Sequence, residues 1–195
     1  IFSGGSASSG AARLAAAAAQ RAGAGAVTLL APDEAIPAIA AHVSSVMIRP
    51  VSKPHDCAPV LADQRFRAFL IGPGFGRFSM LKEFVLALLQ TSAARPIVLD
   101  ADVFSAFALE GETLFAAIKA SGKLCVLTPH EGEFSRLFPD LAHSQIGKHE
   151  RARVAAKRSG AVVILKGADT VIAAPDGRAS INSNGSTELA TRAIA

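Results

Sequence analysis

Four short apolar runs, RAFLI (67–71), PIVL (96–99), LCVL (124–127) and VVIL (162–165), each break off into a polar or glycine-bearing segment. None alternates apolar with polar residues, so each reads as a strand buried on both faces. Helix-forming segments follow or separate them, at 81–89, 104–108, 113–120, 131–138 and 148–158. A chain that passes strand, helix, strand, helix in this way builds a mostly parallel sheet with helices on both faces, an α/β sandwich. The same rhythm begins earlier. A small-residue loop (4–10) leads into a helix at 11–22 that stops at Gly23-Ala24-Gly25, with a strand at 26–31, a short helix at 34–42 and a strand at 45–48. A polar, proline-bearing loop occupies 50–59, and the chain closes on a hairpin, 169–173 with 180–182, around Pro175-Asp176-Gly177.

Composition narrows the function classes. At 195 residues the chain has the size of one ordinary domain. Half of it is apolar and 18% is charged, which excludes a disordered polyampholyte, and no apolar stretch is long enough for a membrane span. A soluble protein with no membrane partner is expected. The net charge of +4 calls for no nucleic-acid partner, and the absence of Trp and Tyr argues against base-stacking platforms. The densest basic group, Lys148, His149, Arg151, Arg153, Lys157 and Arg158, is interrupted at helical spacing and reads as a solvated helix face. Cys57 and Cys125 are too few for a cysteine-rich metal site, and Cys125 lies in a strand-like run where a thiol is inert core. A reducing, cytoplasmic setting is the expectation. With neither an initiator Met nor a basic leader at Ile1, the sequence reads as cut from something longer.

In an open α/β sheet the ligand lies outside the carboxyl ends of the strands, so the residues just after each apolar run matter most. Gly72-Pro73-Gly74-Phe75-Gly76 offers backbone amides that a phosphate or a ring substituent can approach closely, although a turn capping the helix at Leu81 explains it equally well. It has neither the GxxxxGK[ST] nor the GxGxxG spacing. Asp100 and Asp102 stand on alternate sides of the chain, one fit to cap the helix at Phe104, the other to orient a Mg²⁺ shell or a substrate hydroxyl. Thr128-Pro129-His130-Glu131-Gly132-Glu133 opens a helix, for which Thr128 is the expected N-cap. His130 then stands at the functional edge, where an imidazole donates to a carbonyl or phosphate. Lys166 precedes Gly167-Ala168-Asp169-Thr170 and sets an ammonium and a hydroxyl beside flexible backbone, as a nucleotide phosphate requires. The other histidines, His42, His55, His143 and His149, have no paired ligand spacing and are assigned to the surface.

In this order the segments GGSASSGAARLAAAAAQRAGAG, IGPGFG, VLDAD, LTPHEGEFSRL, VVILKGADTVIAAPDGR and the IN…LAT tail resemble the ADP-dependent NAD(P)H-hydrate dehydratase family, a carbohydrate-kinase-like branch of the ribokinase superfamily. The resemblance covers nearly the whole chain. It implies a ribokinase-like three-layer sandwich that repairs NAD(P)H hydrated on its nicotinamide ring. ADP and Mg²⁺ would be consumed or used, the C6 hydroxyl would be phosphorylated and eliminated, and NAD(P)H, AMP and phosphate would result. By the same resemblance Ala11, Gly74 and Gly76 with His130 would hold the hydrate. Lys166, Gly167, Ala168, Asp169 and Thr170 would line the adenine nucleotide, Asn182 and Asn184 would lead to the phosphates, and Asp100 and Glu133 would lie near metal and phosphate.

The chain departs from the family at its end. In the family a segment like Glu188-Leu189-Ala190-Thr191 runs into a GSGD motif that supplies an anion hole and the general base, whereas Arg192-Ala193-Ile194-Ala195 follows here. The resemblance therefore implies a domain incomplete at its C-terminus, with the catalytic Asp outside these residues. A homotetramer and a fused N-terminal epimerase domain are further implications. The competing readings are a sugar or hydroxymethylpyrimidine kinase of the same fold, an inactive nucleotide-binding protein, and a structural subunit. Sugar kinases generally carry Asn-x-x-Glu where this chain has LTPHEGE.

Overall fold

The computed structural model describes residues 1–76 and 78–185. Among the described residues eight strands form, in chain order β1 Thr28–Ala31, β2 Met47–Pro50, β3 Phe69–Ile71, β4 Ile97–Leu99, β5 Cys125–Leu127, β6 Val162–Leu165, β7 Thr170–Ala173 and β8 Ala179–Asn182. The helices are α1 Gly10–Arg21, α2 Ile36–Ala40, α3 Ala58–Ala62, α4 Phe78–Gln90, α5 Asp102–Ala106, α6 Gly111–Ser121, α7 Glu131–Leu137, α8 Pro139–Ala142 and α9 Lys148–Ser159. Among the described residues no helix is long and apolar enough to cross a membrane.

Strands β3 to β6 pair in parallel in the order β3-β4-β5-β6, and β7 and β8 continue the sheet antiparallel, as the expected hairpin. β1 and β2 form a separate parallel pair. Residues 1–3 join the two: Phe2 N–H donates to the Leu70 carbonyl at 2.9 Å, and Ser3 N–H to that of Leu30 at 2.8 Å. The parallel core leaves the strands β3 to β6 ending on one edge.

The main core lies under one face. Phe69, Ile71, Ile97, Leu99, Leu127, Val163 and Leu165 point into it and meet α4 to α9. Phenylalanine does the work that Trp and Tyr do elsewhere: Phe115 stacks on Phe138 at 4.9 Å, and Phe134 leans on the same ring. The opposite face of β1 holds a second, alanine-rich core of Ala12, Ala16, Leu29, Ala31, Ala35 and Ile39 under α1 and α2. Alanine lets α1 lie close on the strand, and so helices cover both faces, though unevenly. Across β3 to β5 the alternate residues Leu70, Val98 and Val126, in register with one another, are only half-buried among the described residues.

Several boundaries differ from those the sequence suggests. Strand β2 starts at Met47 rather than at 45, because Ser45 is engaged with α1: its carbonyl accepts from Gln20 Nε2 at 3.0 Å and its hydroxyl donates to Gln20 Oε1 at 3.1 Å. The loop expected at 50–59 hides a turn, Pro54–Cys57, that runs into α3. Its Asp56 carboxylate accepts the Ser52 and Lys53 amides and starts the helix, a capping role that proline-counting overlooks. Burial raises the Cys57 and Cys125 thiols to about 12 and about 11, in keeping with inert core cysteines.

The basic face of α9 is less solvated than its spacing suggests. Arg151 forks onto Glu131 at 3.0 and 3.1 Å, and Arg158 joins Glu112 of α6 to Asp140 of α8. Another cation, Lys123, is only 8% exposed, and burial holds its pKa below the usual lysine value. Its Nζ donates to the carbonyls of Leu89 at 2.8 Å and Thr91 at 2.5 Å, closing the C-terminal end of α4. Lys123→Met strands those carbonyls and is expected to cost about 1–3 kcal/mol in a urea melt. A change below a few tenths would show that water already serves them.

Candidate active site

The carboxyl ends of β3, β4, β5 and β6 bring the four sequence motifs to one edge. The ladder continues past the strands: Asp100 N–H donates to the Ile71 carbonyl, Thr128 N–H to that of Leu99, and Lys166 N–H to that of Pro129. His130 and Lys166 form a parallel bridge. Backbone, not side chain, thus fixes the spacing of Asp100, Thr128, His130 and Lys166.

Backbone also packs against backbone at the glycines. Gly72 has φ +127°, and a Cβ there would overlap the Asp100 carbonyl. Gly74 has φ +62°, where a Cβ would overlap the Ser8 carbonyl, and a Cβ on Gly4 would overlap the Gly74 carbonyl. The loop before α1, the glycine loop after β3 and the Asp-Ala-Asp turn after β4 therefore touch through main chain. Ala11 sits half-buried in the first turn of α1, just beyond Ser8. Ala11 thus lies three residues from the Ser8 carbonyl that Gly74 approaches.

The two aspartates divide their work. Asp100 Oδ1 accepts from the Thr128 hydroxyl at 2.6 Å and from Lys166 Nζ at 3.1 Å. Asp102 does not cap a helix starting at Phe104: it is itself the first residue of α5, whose N-cap is Ala101, with no side-chain cap. Its Oδ2 instead accepts the Gly76 N–H at 2.8 Å and ties the glycine loop to the β4 edge. Ala101, between them, is the non-glycine residue with positive φ among the described residues, at +49°, a conformation costing about 1–3 kcal/mol.

Thr128 is likewise not the N-cap of α7. His130 is, through Nδ1, which accepts from Gly132 N–H at 3.0 Å and Glu133 N–H at 3.2 Å, while the Glu133 carboxylate accepts the His130 N–H at 2.8 Å. With Nδ1 accepting, the neutral ring carries its proton on Nε2. Nε2 lies 3.5 Å from Glu133 Oε1, and the side chain is 56% exposed at the edge. The capping and ligand-facing readings of His130 are therefore compatible: one nitrogen holds the helix and the other remains a donor.

Lys166 is the positive centre. Its Nζ stands 3.1 Å from Asp100 Oδ1 and 3.8 Å from Glu133 Oε2, so a single ammonium offsets two carboxylates. The segment after it is braced by a residue the sequence assigned to a solvated face: Lys148 Nζ donates to the Asp169 carbonyl at 2.6 Å and to its carboxylate at 2.8 Å. That hydrogen bond holds the Asp169 carboxyl below the usual aspartate value. Thr170 Oγ1 donates to the Gly167 carbonyl at 3.0 Å, closing the turn around Ala168. Lys148 was legible only as part of a basic run, since its partner lies 21 residues away.

Asn182 ends β8 in an exposed position, and its Oδ1 accepts the Asn184 N–H at 2.9 Å. No contact among the described residues joins either asparagine to the Asp100–Lys166 group. The Glu188–Thr191 segment and the position expected for a general base lie outside the described residues. Among the described residues no three His, Cys, Asp or Glu side chains gather as a metal cage. Asp100 and Glu133 still suit magnesium carried in chiefly by nucleotide phosphates and water, which needs only one or two carboxylates.

A bifunctional NAD(P)H-hydrate repair enzyme of Gloeobacter violaceus is 38% identical over 187 residues, covering 93% of this chain and 35% of that protein. The crystal structure of an ADP/ATP-dependent NAD(P)H-hydrate dehydratase from Bacillus subtilis, co-crystallised with ATP and Mg²⁺ and soaked with CoA, superposes with a TM-score of 0.73. It is 26% identical, over 98% of this chain and 67% of that one. A ribokinase-like superfamily protein of Enterococcus faecalis superposes with a TM-score of 0.77 at 19% identity, over 98% of this chain and 64% of that one, and shows the fold. The chain thus spans about a third of the bifunctional relative's length and about two thirds of these solved structures. The carbohydrate-kinase family model described as NAD(P)H-hydrate dehydratase matches residues 1–192. This chain, with its ribokinase-like α/β fold, belongs to the NAD(P)H-hydrate dehydratase family.

Proposed function

We propose that this chain supplies the hydrate- and nucleotide-binding edge of an ADP-dependent NAD(P)H-hydrate dehydratase. The observation that carries the reading is the convergence of Lys166, Asp100, Thr128 and Glu133 beside backbone packed too tightly for any Cβ. Such an arrangement suits phosphoryl transfer, which depends mainly on positioning and on offsetting charge. In the reaction the C6 hydroxyl of the hydrate takes the terminal phosphoryl group of ADP and AMP leaves. Phosphate then departs from C6 as C5 gives up a proton, and the nicotinamide double bond returns.

Lys166 is assigned to the transferring phosphoryl group, its segment Gly167 to Thr170 to the nucleotide. His130, through Nε2–H, and the glycine loop with Gly74, Gly76 and Ala11 are assigned to the hydrate. Magnesium would be held by Asp100 and Glu133 through the nucleotide phosphates, where it would neutralise developing charge. A fused epimerase partner for the full-length protein is part of the proposal, in line with a relative that is named bifunctional, and a homotetramer in the cytoplasm completes it.

The test uses full-length protein with ADP, Mg²⁺ and hydrated NADH, following absorbance at the reduced-nicotinamide band. Recovery of the band that needs all three components is expected, with AMP and phosphate formed in equal amounts. No recovery, together with ATP-dependent phosphorylation of a sugar or pyrimidine alcohol, would reassign the chain to the kinases of this fold.

A further inference from the structure

The Thr128 hydroxyl has one proton to donate, and it goes to Asp100 Oδ1 at 2.6 Å, the oxygen that also accepts from Lys166 Nζ at 3.1 Å. The bond serves no local turn or cap, since it joins residues 28 apart and ends on the carboxylate nearest the ammonium. Main chain sets this geometry. The N–H groups of Asp100, Thr128 and Lys166 donate to the carbonyls of Ile71, Leu99 and Pro129, so the three side chains leave from fixed points. Threonine adds stiffness of its own, because a β-branched side chain has few rotamers.

Asp100 and Glu133 set two negative charges against the single positive charge of Lys166, whose Nζ stands 3.1 and 3.8 Å from them. An aspartate carboxylate turns easily about its last bond. With the ammonium as its only donor, that of Asp100 can rotate to take it with both oxygens and draw it away from the open edge. A hydroxyl fixed on Oδ1 opposes this twice over: it holds the plane of the carboxylate, and its dipole offsets part of the negative charge that an arriving phosphoryl group would meet. We infer that Thr128 is a positioning residue for phosphoryl transfer, its hydroxyl holding Asp100 so that the Lys166 ammonium stays turned to the transferring group. The inference rests on the reading that Lys166 faces that group, and the 42% exposure of the lysine side chain leaves it within reach of a ligand.

The experiment compares Thr128→Val, which keeps the shape and removes the hydroxyl, with Thr128→Ser, which keeps the hydroxyl, both in the full-length protein. Two calorimetric titrations with Mg²⁺ present separate holding from positioning: ADP alone, and orthovanadate into protein saturated with AMP, where vanadate copies the transferring phosphoryl group. Thr128→Val should bind ADP within about threefold of the parent, bind vanadate about tenfold more weakly, and lose about tenfold in kcat on hydrated NADH with little change in KM. Thr128→Ser should recover most of both losses. Vanadate affinity equal in the parent and Thr128→Val overturns the inference, as does a Thr128→Ser protein no better than Thr128→Val. A matching loss of ADP affinity in Thr128→Val also overturns it, since Thr128 would then support the nucleotide as a whole. The expected vanadate pattern in a parent that fails to restore hydrated NADH would uphold the positioning role and overturn the dehydratase reading instead.

Discussion

Gly72→Ala should lose on the order of 3–5 kcal/mol of stability, with a fall in Tm on the order of 10 °C for a domain of this size. Two effects add. The backbone at φ +127° is one that a residue with a Cβ rarely adopts, and the new methyl would overlap the Asp100 carbonyl with its next contact at Val103. The carbonyl cannot swing aside as a flexible side chain would, because it belongs to the strand edge that also carries Thr128 and Lys166 through Asp100. Relief requires the glycine loop to move away from the β4 edge. That movement also breaks the Gly76 to Asp102 bond and separates Gly74 from Ser8, so activity should fall more than the melt alone accounts for, even well below Tm. Gly25→Ala is the control. Nothing stands within 4 Å of a Cβ there, and it should be neutral to about 0.5 kcal/mol. A Gly72→Ala protein as stable as this control would mean that the three loops do not pack through main chain as described.

The sequence made the sheet edge legible for a specific reason. In a parallel sheet every strand delivers its carboxyl end to the same side, so four apolar runs are enough to say that GPGFG, DAD, TPHEGE and KGADT meet. What it could not make legible is the division of labour within that edge. Asp102 reads as a cap because an acid before a short helix usually is one, yet its carboxylate holds the Gly76 amide across 26 residues. Thr128 reads as a cap for the same local reason and instead donates to Asp100, 28 residues away. In both cases a long-range partner outcompetes the nearby amides, and periodicity carries no information about partners at that separation. Lys148 shows the opposite failure: its sequence neighbourhood is basic and helical, and its function as a brace is set by the turn it meets. Helix α3 was missed because Pro54 and Pro59 read as breakers, although each stands in a first helical turn, where the missing N–H costs nothing.

Lys166→Met should lower nucleotide-dependent turnover by about a hundredfold to a thousandfold, the usual range for removing one charge-stabilising donor from a reacting group. On the proposed roles, the expected loss falls on kcat more than on KM, because the ammonium would act on charge that grows during phosphoryl transfer while the Gly167–Thr170 turn would still hold the nucleotide. Stability should change little, by about 1 kcal/mol or less, since the Lys166 side chain is 42% exposed and its pair with Asp100 is screened by water. Lys166→Arg is the informative companion. A guanidinium keeps the charge, but its longer, planar fork cannot occupy the same point 3.1 Å from Asp100 Oδ1 and 3.8 Å from Glu133 Oε2, so recovery should be partial at most. Lys148→Met separates bracing from chemistry. It frees Asp169 and loosens the turn without touching the Asp100 group, so KM for the nucleotide should rise while kcat stays within a few-fold of the parent. If Lys148→Met and Lys166→Met gave the same pattern, with KM alone affected in both, Lys166 would be a second brace for the nucleotide turn and the charge-stabilising role would have to be sought elsewhere on this edge.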